Sequence, residues 1–332
     1  MKISSGTAVS YTLFGFSGII IGILLFFVIV FSIAIVNLTY PVIPFSIGGY
    51  DCSYDKKVDE QRLNDCSIIM NKSIPFFENM PNAFYSPANT LFLACLAEHI
   101  NQSKCSVSSL NKSSRLLETL EGPMDIQISQ TFPFLTKITA LEMYWNEDKS
   151  ILFIFLLSTK YLSIAIRMLQ TDLKKVKRWD DTKVYKGAYE FYTEIAKEFF
   201  WEFEESSFNE MLKEKANQTK IVVFGHSVAG ILSNFMALDL QQKFNLSSDQ
   251  VYVYTFGSLR PGDWDFKLFY EKNISNTYRI INDQEIFQAS PVSFTNKRYR
   301  HVGTAVHLDF DGSSFDSHSI RDYTEALIKI QK

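Results

Sequence analysis

Residues 221–230 read Ile221-Val222-Val223-Phe224-Gly225-His226-Ser227-Val228-Ala229-Gly230. Four successive branched or aromatic apolar residues have the character of a strand buried on both faces. Immediately behind them, Val228, Ile231, Leu232, Phe235 and Leu238 fall at helical spacing. A serine flanked by small residues joins the two. Small neighbours permit a sharp, strained strand-to-helix turn that lifts the serine hydroxyl above the sheet edge, where a nucleophile is needed. The usual pattern is G-x-S-x-G. Here its last position is Ala229, still small, with Gly230 following.

The same alternation extends on either side of this turn. Ile151–Leu157, Val251–Phe256 and Tyr278–Ile281 are short apolar runs of the strand type, and Tyr189, Tyr192, Ile195 and Phe199 mark a helix between the first of them and residue 221. Strand and helix in alternation predict an α/β fold, with a mostly parallel sheet covered by helices on both faces. Before residue 150 the chain is polar, rich in Asn and Ser, and carries all the cysteines, with one apolar helix expected around Thr90 to Ile100. The expected organisation is a membrane segment and juxtamembrane stretch over 1–50, a Cys-containing extension packed on the core over 51–149, and a catalytic core over 150–332.

A serine nucleophile needs a base to take its proton and an acid to hold the base, and in this kind of fold they follow in the order Ser, Asp or Glu, His. His301, His307 and His318 come after Ser227. His318 lies in the polar stretch Asp316-Ser317-His318-Ser319 ahead of a helical run from Ile320 to Ile330, a position that suits a loop-borne base. His301 and His307 flank the strand-like segment Val302 to Val306 and read as partly buried structural histidines. His226 adjoins the nucleophile, but neighbours at such a turn diverge, so it is not taken as the base. The strand around Tyr278 ends in Asn282-Asp283-Gln284-Glu285, which leaves two candidate acids, Asp283 and Glu285.

Over roughly Ser150 to Leu327 the sequence resembles the class 3 lipases, the fungal-type triacylglycerol lipase family. GHSVAG stands for GHSLGG, VYTFGSLRPG for VYTFGxPRxG, RIINDQEIFQASP for a segment like RVxHxxDxVPxLP, YRHVGTAVHL for YxHxGxEVW, and DSHSIRDY for DHxxY. The resemblance implies an α/β-hydrolase fold and a catalytic triad of Ser227, Glu285 and His318, with His301 structural. It also implies an oxyanion hole from the backbone N–H groups of Thr159 and Val228, a lid over Tyr161 to Leu169, and a match of Lys186-Gly187-Ala188-Tyr189 to HxGF. Leu157 and Ser158 depart from the family's FRGT, which puts the loop geometry and lid hinge at issue. The implied substrate is a lipid ester, triacylglycerol or phospholipid, with no cofactor and no metal. The rival is a lipase-fold membrane protein that binds lipid or serves as a scaffold without turnover.

No charged residue lies between Lys2 and Asp51, and Leu13 to Val36 is almost wholly apolar, long enough to cross a hydrocarbon core of roughly 30 Å. A single transmembrane helix is expected, against a cleaved signal peptide whose apolar stretch is about 7 to 15 residues. All Asn-x-Ser/Thr sequons, at Asn37, Asn71, Asn101, Asn111, Asn217, Asn245 and Asn273, follow this run, as do the 4 cysteines Cys52, Cys66, Cys95 and Cys105. Both point to a lumenal or extracellular body with two disulfides of open connectivity, secreted if the segment is cleaved. The cysteines lack the paired spacing of a zinc site. The net charge of −3 over 332 residues gives no basic excess for nucleic acid.

Overall fold

The computed structural model describes residues 61–62, 65–66, 85–103, 121–130, 136–146, 150–157, 168, 170–204, 206–215, 218–283, 285, 287–291, 298–309 and 318–331. The apolar run 13–36, Cys52, Cys105, Thr159, the sequons at Asn37, Asn71, Asn111 and Asn217, and the expected lid apart from Met168 lie outside the described residues. Among the described residues no helix is long and apolar enough to cross a membrane.

In chain order the elements are α1 (Pro87–Ser103), β1 (Glu121–Gln130), β2 (Thr136–Trp145), β3 (Ile151–Leu156), β4 (Leu173–Val176), β5 (Thr182–Tyr185), α2 (Lys186–Glu204), α3 (Ser207–Lys215), β6 (Lys220–His226), α4 (Val228–Phe244), β7 (Val251–Phe256), α5 (Trp264–Asn273), β8 (Asn276–Asn282), β9 (Thr304–Leu308) and α6 (Ile320–Gln331). Seven strands form one sheet in the order β1-β2-β3-β6-β7-β8-β9, and β4 and β5 pair separately. From β3 to β9 every neighbouring pair is parallel, whereas β1, β2 and β3 are antiparallel.

The continuous apolar runs follow from burial on both faces. Leu152, Ile154, Ile221, Val223, Val251 and Val253 face one core with Tyr192 of α2, Phe235 of α4 and Phe266 of α5. Ile151, Phe153, Val222, Phe224, Tyr252 and Tyr254 face the other, with Leu93 of α1 and with Tyr323 and Leu327 of α6. Truncating one of these large side chains to Ala costs about 3 to 5 kcal/mol. Helix α4 is buried from Ala229 to Leu240 on all sides, so its apolar residues are not confined to one stripe.

One difference from the sequence-based reading concerns the stretch before residue 150. The sheet begins at Glu121, inside the expected extension, because β1 and β2 pair antiparallel on its edge and β2 continues onto β3. An edge strand of polar composition, EGPMDIQISQ, interrupted by two register shifts, carries little periodic signal. The predicted helix is α1, slightly longer than expected, and Cys95 within it is disulfide-bonded to Cys66. The adjoining Arg62 Nη2 lies 2.5 Å from Glu98 Oε1 in a buried pair, so losing either partner would strand a charge.

Candidate active site

Ser227 follows the last residue of β6 and precedes the first of α4, with φ 60° and ψ −126°. A non-glycine residue held at positive φ costs on the order of 1–3 kcal/mol and persists only where its surroundings enforce it. Here its N–H donates to the carbonyl of Phe256 at the end of β7, at 2.8 Å. The space for the turn comes from two glycines. A Cβ on Gly225 would stand 2.2 Å from the Ala229 carbonyl oxygen, and one on Gly230 would stand 2.6 Å from the Ser258 side chain. The methyl of Ala229, at the position where the usual pattern ends in Gly, is fully buried in the core and is accommodated.

His318 stands just ahead of α6, and its Nε2 lies 2.8 Å from Ser227 Oγ. Its Nδ1 hydrogen-bonds Glu285 Oε1, and the Glu285 side chain is 0% exposed. The other carboxylate oxygen accepts from Tyr323 Oη at 2.5 Å. Burial first, and then the Glu285 charge, push the Tyr323 phenol well above its ordinary range, so it remains a donor. Glu285 is set by a turn closing β8, in which its N–H donates to the Asn282 carbonyl at 3.0 Å. Gly257, at φ 53°, leaves the room: a Cβ there would lie 3.0 Å from both carboxylate oxygens and from Tyr323 Oη.

Asp283, the other candidate acid, lies 2.6 Å from His307 Nδ1, and both side chains are more than half exposed. Of the two carboxylates left open by residue spacing, Glu285 is the one that meets His318. The expectation of a partly buried His307 is corrected, since β9 is the sheet edge and His307 faces solvent. His301 is partly buried, as expected. Burial, Arg279 and Arg260 lower its pKa to about 3.

Four residues around His318 and Glu285 escaped the sequence reading. His226 Nε2 lies 2.6 Å from the His318 carbonyl oxygen, with the rings 4.9 Å apart, so the residue set aside as diverging packs against the base. Phe287, 46% exposed, lies with its ring 4.7 Å from that of His318. Tyr323 and Gly257 hold the acid. Tyr323 lies at the end of DSHSIRDY, and its place in the first turn of α6 was the available signal. The N–H of Val228 opens α4, where first-turn amides have no acceptor within the helix and point at whatever lies before it. Of the described sequons, Asn245 is exposed as the C-cap of α4. Asn273 lies half-buried at the end of α5, its amide donating to the Phe269 carbonyl at 2.7 Å. Among the described residues no group of three or more His, Cys, Asp or Glu side chains could hold a metal ion.

A hydroxyl on a strained turn, an imidazole within hydrogen-bond reach and a buried carboxylate on the imidazole's far nitrogen can move one proton from oxygen to Nε2 and stabilise the resulting imidazolium. Residues 153–294 match the family model for lipase (class 3), which bears out the resemblance read from the motifs. Phospholipase A1-Igamma1, chloroplastic, from Arabidopsis thaliana is 28% identical over 122 residues, 31% of this chain and 24% of that protein. Triacylglycerol lipase OBL1 from Ricinus communis is 26% identical over 110 residues, 31% of this chain and 21% of that protein. The chain thus spans less than a quarter of the length of these curated relatives. A fungal lipase in complex with an inhibitor superposes with a TM-score of 0.51 at 18% identity, covering 75% of this chain and 81% of that one, a likeness of α/β-hydrolase fold.

Proposed function

We propose that this chain, which carries the class 3 lipase pattern over residues 153–294, is a serine hydrolase that cleaves acyl esters of lipids, triacylglycerol or phospholipid. The observation that carries the reading is the strained Ser227 within 2.8 Å of His318 Nε2, with a fully buried carboxylate on Nδ1. In this reading Ser227 Oγ attacks the ester carbonyl as its proton passes to His318. Glu285 holds the imidazole in the productive tautomer, and the N–H groups of Val228 and Thr159 receive the developing oxyanion. His318 then protonates the leaving alcohol, and water attacks the acyl-enzyme by the same relay in reverse. Phe287, exposed beside the base, gives an acyl chain apolar surface on entering the site. Labelling with a fluorophosphonate probe tests this. Wild type takes up the probe and Ser227→Ala does not, with kcat lowered by about 10⁶. Equal labelling of both ends the proposal.

The same reading includes an N-terminal membrane anchor and a lumenal or extracellular body, supported by the uncharged run 13–36 and by the sequons behind it. The disulfide between Cys66 and Cys95 is in keeping with an oxidising compartment. An N-glycosidase increases the gel mobility of the protein from its native membranes; unchanged mobility with freely alkylated cysteines overturns this topology.

A further inference from the structure

The end of β6 supplies two polar side chains in succession, His226 and Ser227. Val222 and Phe224 of this strand face the core that contains Tyr323 and Leu327 of α6, and the period of two along a strand puts His226 on the same face. There its ring lies 4.9 Å from that of His318 and makes a T-shaped contact with Tyr323, the centroids 6.2 Å apart. Tyr323 is the residue that donates to Glu285. His226 therefore touches both the base and the side chain that holds the acid.

The cap of α6 shows why His318 needs this neighbour. Ser319 and Asp322 cap the helix reciprocally: Ser319 Oγ accepts from the Asp322 N–H at 3.3 Å, and Asp322 Oδ2 accepts from the Ser319 N–H at 3.1 Å. The Ser319 carbonyl opens the helical ladder, accepting from the N–H groups of Asp322 and Tyr323. His318 stands one residue earlier, so its own carbonyl lies outside the ladder and needs a donor from elsewhere. Among the described residues that donor is His226 Nε2, at 2.6 Å. A carbonyl oxygen can only accept, so Nε2 of His226 carries a proton.

We propose that His226 is a positioning residue for the base: by holding the His318 carbonyl it sets how far the imidazole stands from Ser227. The inference rests on the serine hydrolase reading and deepens it. His318 is then held at three points, Nδ1 by Glu285, Nε2 by Ser227 and the main chain by His226. Two of these partners are neighbours at one strand end, where the Ser227 N–H is itself fixed on the Phe256 carbonyl at 2.8 Å. Nucleophile and base thus share one support, and the 2.8 Å between Ser227 Oγ and His318 Nε2 is set from β6. A misplacement of about 1 Å in such a contact can cost about 10²-fold in rate. His226 acts through His318 and takes no part in the proton relay.

Two substitutions in the full-length protein separate the donor from the ring. His226→Phe keeps a ring against His318 and Tyr323 but loses the N–H. His226→Gln loses the ring but keeps an amide N–H at a reach similar to that of Nε2. On a soluble ester, kcat for His226→Phe falls about 10- to 100-fold with KM within about twofold, whereas kcat for His226→Gln stays within about threefold of wild type. Should thermal unfolding show that His226→Phe is not folded, His226→Met takes its place, unbranched like Gln and without a donor. A role in packing alone gives the reverse order, with Phe near wild type and Gln impaired, and overturns the inference. So does a donor-free variant with wild-type kcat, or a Gln variant no better than the donor-free one. Fluorophosphonate labelling keeps the two readings apart. Wild type that takes up the probe while the order of the variants fails sinks the positioning role alone. Equal labelling of wild type and Ser227→Ala sinks the hydrolase reading and this inference with it.

Discussion

The turn after β8 supplies two carboxylates, each joined to a histidine, and the two pairs differ in almost everything that matters for chemistry. Asp283 and His307 meet at 2.6 Å on the sheet edge with both side chains more than half exposed. Water competes for each partner, and a pair of this kind contributes about 0 to 1 kcal/mol to stability. Glu285, two residues on, is completely buried, has both oxygens hydrogen-bonded, and faces a histidine whose other nitrogen reaches Ser227. A carboxylate and an imidazole in contact are therefore not enough for a catalytic pair. Exclusion of water and a third group on the far nitrogen make the difference.

The largest effect expected from breaking this contrast is in the acids themselves. Glu285→Gln leaves the shape of the site but removes the charge that fixes the His318 tautomer, and kcat on a soluble ester falls by about 10⁴. Asp283→Asn changes kcat less than about twofold, since the exposed pair touches neither nucleophile nor base. Steady-state kinetics of the two variants side by side check this; the opposite ranking transfers the role to Asp283.

A smaller effect sharpens the role of burial. Tyr323→Phe deletes one hydrogen bond to the buried carboxylate, worth about 1.5 to 3 kcal/mol for a charged acceptor. With the carboxylate less firmly held, kcat falls roughly 10-fold or somewhat more with KM unchanged. The kcat–pH profile moves as well, because Tyr323 acts through Glu285 and His318 rather than on substrate. A change confined to KM, or a profile that does not move, leaves Tyr323 with a packing role only.

The smallest expected effect is in stability and uses the third histidine of this end of the sheet. The folded pKa of His301, about 3, lies below the ordinary value of 6.5. The unfolded chain therefore takes up the proton first as pH falls. The contribution of neutral His301 is complete above about pH 6.5 and is lost between there and about pH 3, at no more than about 1.4 kcal/mol per pH unit. Burial, Arg279, Arg260 and Lys267 all press in this direction, and only the hydrogen bond to the Gln288 backbone opposes them. Urea unfolding at pH 7.5 and 5.0 in phosphate-free buffer gives a larger loss for wild type than for His301→Gln. Equal losses mean that His301 is solvated in the folded protein.

What the sequence alone determined is what local composition encodes. The buried strands β3, β6, β7 and β8 were legible because burial on both faces demands uninterrupted apolar runs, and the turn at Ser227 because Gly225 and Gly230 are needed where a Cβ would strike backbone or a packed side chain. His318 was legible from its polar loop before a helix. The tertiary structure decided what depends on which residues meet. The polar edge strand β1 is held by pairing with β2 and has little pattern of its own. Asp283 and Glu285 are two residues apart and chemically similar, and only the packing of α6 against β7 puts Tyr323 Oη and the bare Cα of Gly257 beside one of them. Periodicity records how each segment meets water, whereas a site is a coincidence of distant segments that no single segment records.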